Sequence, residues 1–407
     1  MDRRQILKRG AGLLAYAGGA SWMSRLAQAA PSLPAGVASE QVLEALPGKI
    51  PLIKKSYRPP NYESPLSVLN EAFTPNNAFF VRYHLAGIPD DLEAASWRLK
   101  IGGPGAETPL ELTLDDLKKN YEKLEFAAVC QCSGDRRGFS DPHVPGVEWG
   151  NGAIGNAKWA GVRLKDVLEK AGLKKEACEV EFNGADGPVL DATPDFVKSV
   201  PLWKAIDENT LIAYEMNGEP LPHWNGFPAR MIVPGWTATY WMKHIVDIRV
   251  LTEPLKSFWM NPAYRVPKRV YPVIQHFTSQ DTSDSPTTPI TEIVVNSLVT
   301  NLENGAQVKA GQPVTVKGIA WDAGYGIAEV AVSLDDGKSW SGAELGPDLG
   351  RYSWRQWSYK FTPPKTGAVT LMPKARNNSG ATQVDTLLFN SSGYYNNVIQ
   401  KLALQAV

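Results

Sequence analysis

One stretch of this 407-residue sequence is especially informative: Val129-Cys-Gln-Cys-Ser-Gly-Asp-Arg-Arg-Gly138. Cys132 is followed by two small residues and an aspartate, and then by Arg136 and Arg137. Because nearby cations favour the thiolate form, this pattern is typical of a cysteine that binds a metal or attacks an electrophile. A buried, inert thiol is the alternative that the local pattern leaves open. Cys130 would share a strand face with Cys132, but Cys-x-Cys without further ligands is not a zinc motif.

Composition narrows the classes of protein to consider. Lys+Arg and Asp+Glu are 42 each, so the formal net charge is zero, which argues against a nucleic-acid-binding protein. The 35 Gly and 31 Pro residues favour turns and short strands over a helical bundle. Three Cys residues are too few for a disulfide framework. The absence of Cys-x-x-Cys-His excludes covalently attached c-type haem in this sequence.

The sequence pattern predicts two domains joined by a linker. Over residues 76–277, helical and strand patterns interleave without regular βαβ spacing, which predicts an α+β domain. Leu112-Thr-Leu-Asp-Asp-Leu-Lys118 is typical of a capped helix start. Residues 278–289 are polar and contain proline, as interdomain linkers do. Residues 290–407 hold short alternating runs separated by turns, which predicts an immunoglobulin-like β-sandwich.

The first 75 residues are predicted to be an export signal followed by an extended arm. A basic start with Arg3-Arg4, a short apolar run and Ala27-Gln-Ala29 predict a signal peptide over residues 1–29 that resembles the twin-arginine type. An ordinary secretion signal with a chance arginine pair is the alternative. The pattern indicates a periplasmic protein without a membrane span. Residues 30–75 are rich in proline and predict an extended arm.

Several segments in order resemble the sulfite oxidase family of molybdenum enzymes. The cysteine stretch resembles the family's cysteine loop, and Phe80-Val-Arg-Tyr-His-Leu85 resembles its upstream Phe-x-Arg-x-His segment. Further similarity is found at the following segments: Glu148-Trp149, Gly152-Ala-Ile154, Trp159-Ala-Gly-Val-Arg-Leu164, Ala213-Tyr-Glu-Met-Asn-Gly-Glu-Pro-Leu-Pro222, Gly226-Phe-Pro-Ala-Arg-Met-Ile-Val-Pro-Gly235 and Ala263-Tyr264. The resemblance implies an α+β molybdopterin-binding domain (residues 76–277) and a sandwich (residues 290–407) that forms a homodimer.

The resemblance also implies roles for catalytic residues. Cys132 would bind molybdenum through its thiolate, which suits a metal already held by the sulfurs of molybdopterin. Arg82 and Arg137 would bind the sulfite dianion, since arginines recognise oxyanions well. Tyr264 would hydrogen-bond the reacting oxygen or the substrate. His84 and Trp149 would complete the pocket, with His84 among the catalytic residues and Trp149 in contact with substrate.

A set of polar and aromatic residues is implied to bind the cofactor, and two departures from the family stand out. The cofactor set is Phe80, Val81, Arg82, Tyr83, His84, Asp186, Asn225, Arg230, Trp241, Met242 and Lys243. Lys243 and Arg230 would serve the phosphate. Asn225 stands where many relatives have histidine. The segment Phe389-Asn-Ser-Ser-Gly-Tyr-Tyr-Asn-Asn397 lacks an arginine that many members use in the anion pocket, and Arg355 and Lys374 are the candidates to compensate for it.

The resemblance implies oxidation of sulfite to sulfate, with the electrons passed to a separate c-type cytochrome. The sequence has no haem motif of its own. Two alternatives remain within the same superfamily, a sulfur dehydrogenase and a sulfoxide reductase. A cofactor-free exported binding protein is the alternative from another class.

Overall fold

The structure is a computed structural model that describes residues 41–268, 270–271, 277–282 and 284–407. The predicted signal peptide and the start of the arm lie outside the described residues. The described chain is mostly β: it contains 25 strands and three α-helices of four to eight residues. The α+β prediction therefore overestimated the helical content, because the stretches with helical spacing are short.

The arm contributes a small sheet rather than an extended strap. Its four antiparallel strands are, in spatial order, β1 (Leu43–Ala45), β2 (Pro51–Ser56), β3 (Asn61–Glu63) and β4 (Val81–Arg82). Leu52, Tyr62 and Val81 pack together beneath it with Tyr83. The arm is thus hydrogen-bonded directly to the strand that carries Arg82, because Asn61 of β3 pairs with Arg82.

Two five-stranded sheets form most of the region that carries the cysteine loop. The first has the spatial order β10 (Val197–Pro201), β9 (Glu179–Gly184), β14 (Ile245–Leu251), β5 (Leu99–Gly102), β6 (Leu110–Leu112). The second contains β12 (Glu219–Pro220), β11 (Leu211–Met216), β8 (Ile154–Arg163) and β7 (Leu124–Gln131), with β13 (Arg230–Ile232) also paired to β11. A hairpin-like pair, β15 (Arg265–Pro267) and β16 (Thr287–Pro289), follows these sheets.

The described chain has three α-helices, and the first begins where the sequence predicts a capped helix start. Helix α1 (Leu114–Asn120) starts after Thr113, whose side chain accepts from the backbone N–H of Asp116 while Asp116 bonds back to Thr113. This reciprocal capping satisfies donors that the first turn leaves free. Helix α2 (Leu164–Ala171) buries Leu164, Val167, Leu168 and Ala171 on one face. Helix α3 (Leu202–Ala205) is a single turn.

The C-terminal region consists of two sheets that share one hydrophobic core. One sheet has the order β17 (Asn296–Val299), β19 (Val314–Trp321), β23 (Arg355–Phe361), β22 (Glu344–Leu345). The other has the order β18 (Gln307–Val308), β25 (Leu402–Ala406), β24 (Gly367–Asn377), β20 (Ile327–Ser333), β21 (Ser341–Gly342). Their core includes Val316 and Trp357 from the first sheet and Val330 and Leu371 from the second. Gly318 allows close packing, since a Cβ there would lie 2.3 Å from the Trp357 ring.

The two regions meet around the cysteine loop. The Trp321 indole N–H donates to Gln131 Oε1 over 2.8 Å, and the backbone N–H of Val129 donates to Tyr352 O over 2.9 Å. These bonds fix the end of β7 against the C-terminal sheets. No helix in the described part of the chain is long and apolar enough to cross a membrane.

Candidate active site

Cys132 lies directly after β7, at the edge of an internal cavity. Its backbone N–H donates to Ala153 O over 2.9 Å, and its carbonyl accepts from Asp135 N over 3.0 Å, so the chain turns immediately after the cysteine. The cavity together with its open mouth holds about 640 Å³ of empty space. Its lining consists of Phe79, Phe80, Arg82, Tyr83, His84, Cys130, Cys132, Ser133, Asp186, Phe196, Trp224, Asn225, Arg230, Ala238, Thr239, Trp241, Met242, Lys243 and Tyr264.

The two arginines of the cysteine loop point in different directions. Arg136 adopts a left-handed backbone conformation (φ 65°), and its guanidinium donates to Asn296 Oδ1 and Val398 O of the C-terminal region. Arg137 donates through Nε to Ser392 O and through Nη1 to Val147 O. Arg136 therefore links the cysteine loop to the C-terminal region. Arg137 lies near the cavity but does not line it.

Arg82, His84 and Tyr264 lie together in the cavity wall. A ring nitrogen of His84 is hydrogen-bonded to the Tyr264 hydroxyl, and the His84 ring stacks on Phe196 with centroids 3.6 Å apart. Burial, with the positive charges of Arg82 and other cations, holds the pKa of His84 well below its usual value. His84 is thus neutral at neutral pH. Burial raises the pKa of Tyr264, and the positive charge of Arg82 opposes that rise.

Two further cations, Arg230 and Lys243, line the cavity together with the buried carboxylate of Asp186. Arg230 is 4% exposed, and it donates to Asn225 O over 2.9 Å and to Trp241 O over 3.0 Å. The ammonium of Lys243 donates to Trp224 O and lies over the Tyr83 ring. Burial raises the pKa of Asp186 to about 6, while Lys243 opposes this rise. The wall therefore favours an anionic ligand.

The cavity also has hydrogen-bonding capacity that the protein itself does not use. The Nε atom of Arg230 is buried without a hydrogen-bond partner among the described residues. A buried unpaired donor on a cation is costly unless a ligand accepts from it. The phosphate and polar ring atoms of a pterin cofactor are suitable acceptors, so these residues fit the molybdopterin that the resemblance implies.

Most of the residues predicted for the site lie together, and three do not line the cavity. Val81 packs with Leu52 and Tyr62 on the opposite side of its strand. Trp149 is fully buried in the main hydrophobic core and does not line the cavity. Arg137 is the third, and it approaches the site indirectly, with its guanidinium 5.4 Å from the centroid of the Tyr394 ring.

The C-terminal segment 389–397 contacts the site, but neither proposed substitute for its missing arginine does. Tyr394 stacks on Tyr264, with ring centroids 5.4 Å apart and an interplanar angle of 17°. Arg355 instead bonds to Gly346 O and lies 3.5 Å from the Asp348 carboxylate, while Lys374 lies over the Trp340 ring. The compensation expected from Arg355 or Lys374 is therefore wrong for the cavity as the structure shows it.

Sequence analysis missed several residues at or behind the cavity wall. Cys130 lines the cavity, and burial raises the pKa of its thiol to about 11 while Arg230 opposes this rise. Its position two residues before Cys132 on a strand was an available signal. Phe196, Lys49 and Tyr394 come from distant parts of the chain, and no local pattern marks them.

Comparison with known proteins agrees with this geometry. The oxidoreductase molybdopterin binding domain matches residues 85–259, and the Mo-co oxidoreductase dimerisation domain matches residues 287–406. The fold and site thus define a molybdenum oxidoreductase whose cofactor is molybdopterin.

Relatives identify the family more closely. Mitochondrial sulfite oxidase of Rattus norvegicus is 36% identical over 369 residues, covering 86% of this chain and 65% of that protein. Sulfite oxidase of Gallus gallus is 36% identical over 82% of this chain and 72% of that protein. The chain belongs to the sulfite oxidase family. The sulfane dehydrogenase SoxCD of Paracoccus pantotrophus shares the fold, with a TM-score of 0.71 over 97% of this chain and 94% of that one, at 22% identity. The chain spans 65% of the length of the rat relative.

Proposed function

We propose that this protein oxidises sulfite to sulfate in the periplasm and passes the electrons to a c-type cytochrome. The observation that carries the proposal is the group of Arg82, His84 and Tyr264 in the same cavity as Cys132. A cationic guanidinium, a hydroxyl donor and a neutral imidazole suit a small oxyanion whose oxidation releases protons. Relatives named sulfite oxidase at 36% identity support the choice of substrate.

The cofactor, when bound, supplies the oxygen atom and accepts two electrons; sulfite and water thereby become sulfate, two protons and two electrons. Arg82 binds an oxygen of the anion, because a guanidinium retains free N–H donors beyond those given to Asn61 Oδ1 and Tyr83 O. The Tyr264 hydroxyl donates its single hydrogen to His84 and accepts, at its oxygen, a proton released from the water that is consumed. His84 is neutral, so it can accept the proton that leaves through Tyr264.

Arg137 contributes to this site although it does not line the cavity. Its guanidinium lies against the Tyr394 ring, which in turn stacks on Tyr264. Its positive charge also favours ionisation of Tyr264 and disfavours protonation of His84. Arg137 therefore adds to the positive potential that attracts the dianion.

The test is steady-state oxidation of sulfite with cytochrome c as acceptor. Arg82→Gln should raise the KM for sulfite about 10- to 100-fold, since a hydrogen bond to a charged group contributes about 1.5–3 kcal/mol. Arg137→Gln should raise it less. Arg98→Gln is the matched control, because Arg98 is exposed and bonds only to Ala95 O and Trp97 O. An unchanged KM for sulfite in both Arg82→Gln and Arg137→Gln would refute the proposal.

A second candidate is the oxidation of another sulfur compound. The observation in its favour is the lack of an arginine in residues 389–397, which leaves the site with less positive charge than many family members have. Sulfite, thiosulfate and methionine sulfoxide should be compared on one sample of known molybdenum content. Higher kcat/KM with thiosulfate would favour a sulfur dehydrogenase, and reduction of methionine sulfoxide would favour a reductase.

The location, the acceptor and the assembly have separate support. The predicted export signal at Arg3-Arg4 supports the periplasm, and the electrons need an acceptor, for which we propose a separate c-type cytochrome. The match to the dimerisation domain over residues 287–406 supports a homodimer. Light scattering on the purified protein should give twice the chain mass, and a mass of one chain would refute the dimer.

A further inference from the structure

Lys49 of the N-terminal arm is buried directly behind the cofactor cavity. Its side chain is 7% exposed, and its ammonium donates to Asn76 O over 2.6 Å, to Phe79 O over 3.1 Å and to Asn225 Oδ1 over 2.6 Å. The ammonium has three N–H donors and no acceptor, so all three are used. The Lys49 ammonium can therefore hydrogen-bond to the Asn225 amide only at the amide oxygen.

This contact fixes which end of Asn225 faces the rest of the site. With Oδ1 held by Lys49, the amide nitrogen must occupy the other position. One of its hydrogens goes to Phe80 O over 3.3 Å. Asn225 lines the cavity and is 2% exposed, so the second hydrogen is the amide group's remaining donor toward a ligand there.

The cations that border Asn225 indicate that an anion binds at this point. Lys243 donates to the backbone carbonyl of Trp224, and Arg230 donates to that of Asn225. Both cations line the cavity, so an anion bound between them would lie next to the Asn225 amide. The indole N–H of Trp224 donates to Pro47 O over 2.9 Å, which ties this short segment to the arm a second time.

We propose that Lys49 is a positioning residue for the molybdopterin: it holds the Asn225 amide so that the nitrogen donates to the anionic group bound by Lys243 and Arg230. The inference rests on the cofactor assignment and is independent of the substrate. Burial lowers the pKa of Lys49 to about 7, so a bound anion nearby would also favour its charged form. The arm would thereby contribute to cofactor retention.

The test counts cofactor on the full chain, produced in a host that makes molybdopterin. Molybdenum per chain and the rate of pterin release after dilution, followed by pterin fluorescence, are measured for the wild type, Lys49→Met, Asn225→Ala and the double variant. Each single variant should release pterin about tenfold faster, as expected for loss of an oriented hydrogen bond to a charged group. The double variant should release it no faster than Asn225→Ala alone.

Two further variants separate positioning from folding. Asn225→Asp keeps the oxygen that faces Lys49 but loses the donor, so it should also release pterin faster. Lys54→Met is the control, since Lys54 belongs to the same arm and pairs with Glu44 instead. Circular dichroism establishes that each variant is folded. The proposal would be overturned if Lys49→Met and Asn225→Asp both released pterin at the wild-type rate. It would also be overturned if the increase in release rate in the double variant equalled the product of the two single increases. Neither outcome depends on whether sulfite is the substrate.

Discussion

The ring of Tyr394 lies nearly parallel to that of Tyr264, with their centroids 5.4 Å apart. Tyr264 lines the cavity, whereas Tyr394 belongs to the C-terminal segment that lacks the expected arginine. The guanidinium of Arg137 lies 5.4 Å from the centroid of the Tyr394 ring. Tyr394 thus connects a cavity residue to the cysteine loop, and it is one of the contacts between the C-terminal region and the site.

Removal of the Tyr394 ring should weaken substrate binding. In Tyr394→Ala, Tyr264 and Arg137 both lose a packing partner, and aromatic and cation–π contacts contribute about 0.5–2 kcal/mol. The KM for sulfite should rise between about twofold and thirtyfold. Tyr394→Phe keeps the ring and should resemble the wild type, as should Tyr325→Ala at an exposed tyrosine. An equal rise in Tyr394→Phe would assign the effect to the hydroxyl instead.

Loss of the Tyr264 hydroxyl should slow turnover without loss of metal. Tyr264→Phe removes the hydrogen bond to His84 while the ring stays in place. We expect kcat to fall at least tenfold, since positioned proton donors contribute about 10²–10⁴-fold. Molybdenum per chain, measured by mass spectrometry, should be unchanged. Tyr240→Phe is the control, because the Tyr240 hydroxyl donates to Ile290 O and Tyr240 does not line the cavity. Loss of molybdenum in Tyr264→Phe would place this residue in cofactor binding.

His244 should make the fold sensitive to acid. Burial lowers its pKa to about 3, and it bonds to the Tyr83 hydroxyl and to Phe227 O. The unfolded chain takes up a proton below about pH 6.5 while the folded chain does not, so stability falls as the pH decreases from about 6.5 toward 3. At pH 5 this group should cost about 2 kcal/mol relative to pH 7.

Denaturant unfolding of the cofactor-loaded protein at pH 7 and pH 5 measures that cost. His244→Gln should lose about 2 kcal/mol less between the two pH values than the wild type does. His143→Gln, at an exposed histidine that pairs with Glu148, should keep the wild-type difference. If His244→Gln shows the same pH difference as the wild type, the acid sensitivity arises at other groups.

The sequence was sufficient to predict the parts of the site that follow local rules. Helix α1 begins at the capping residue that its pattern indicates, and Cys130 and Cys132, two positions apart, both line the cavity. Strand alternation also explains one error, because neighbours on a strand face opposite sides, which takes Val81 away from Arg82.

Other features depend on long-range packing, which no local pattern records. Lys49 reaches Asn225 across 176 positions of the chain, and Tyr394 meets Tyr264 across the boundary of two regions. Arg136 and Arg137 are neighbours in sequence, yet the left-handed backbone at Arg136 sends their side chains to different partners. Trp149 looked like a pocket residue beside the cysteine loop but fills the core instead.

The central claim is that the Cys132 sulfur binds the molybdenum, and X-ray absorption at the molybdenum edge tests it most directly. Wild-type protein should show the Cys132 sulfur in addition to the sulfurs of molybdopterin. Cys132→Ser should lack that one Mo–S contribution, while Cys130→Ser and Cys178→Ser keep it. A serine oxygen close to the metal would replace that sulfur at a shorter distance. An unchanged set of Mo–S distances in Cys132→Ser would contradict the account.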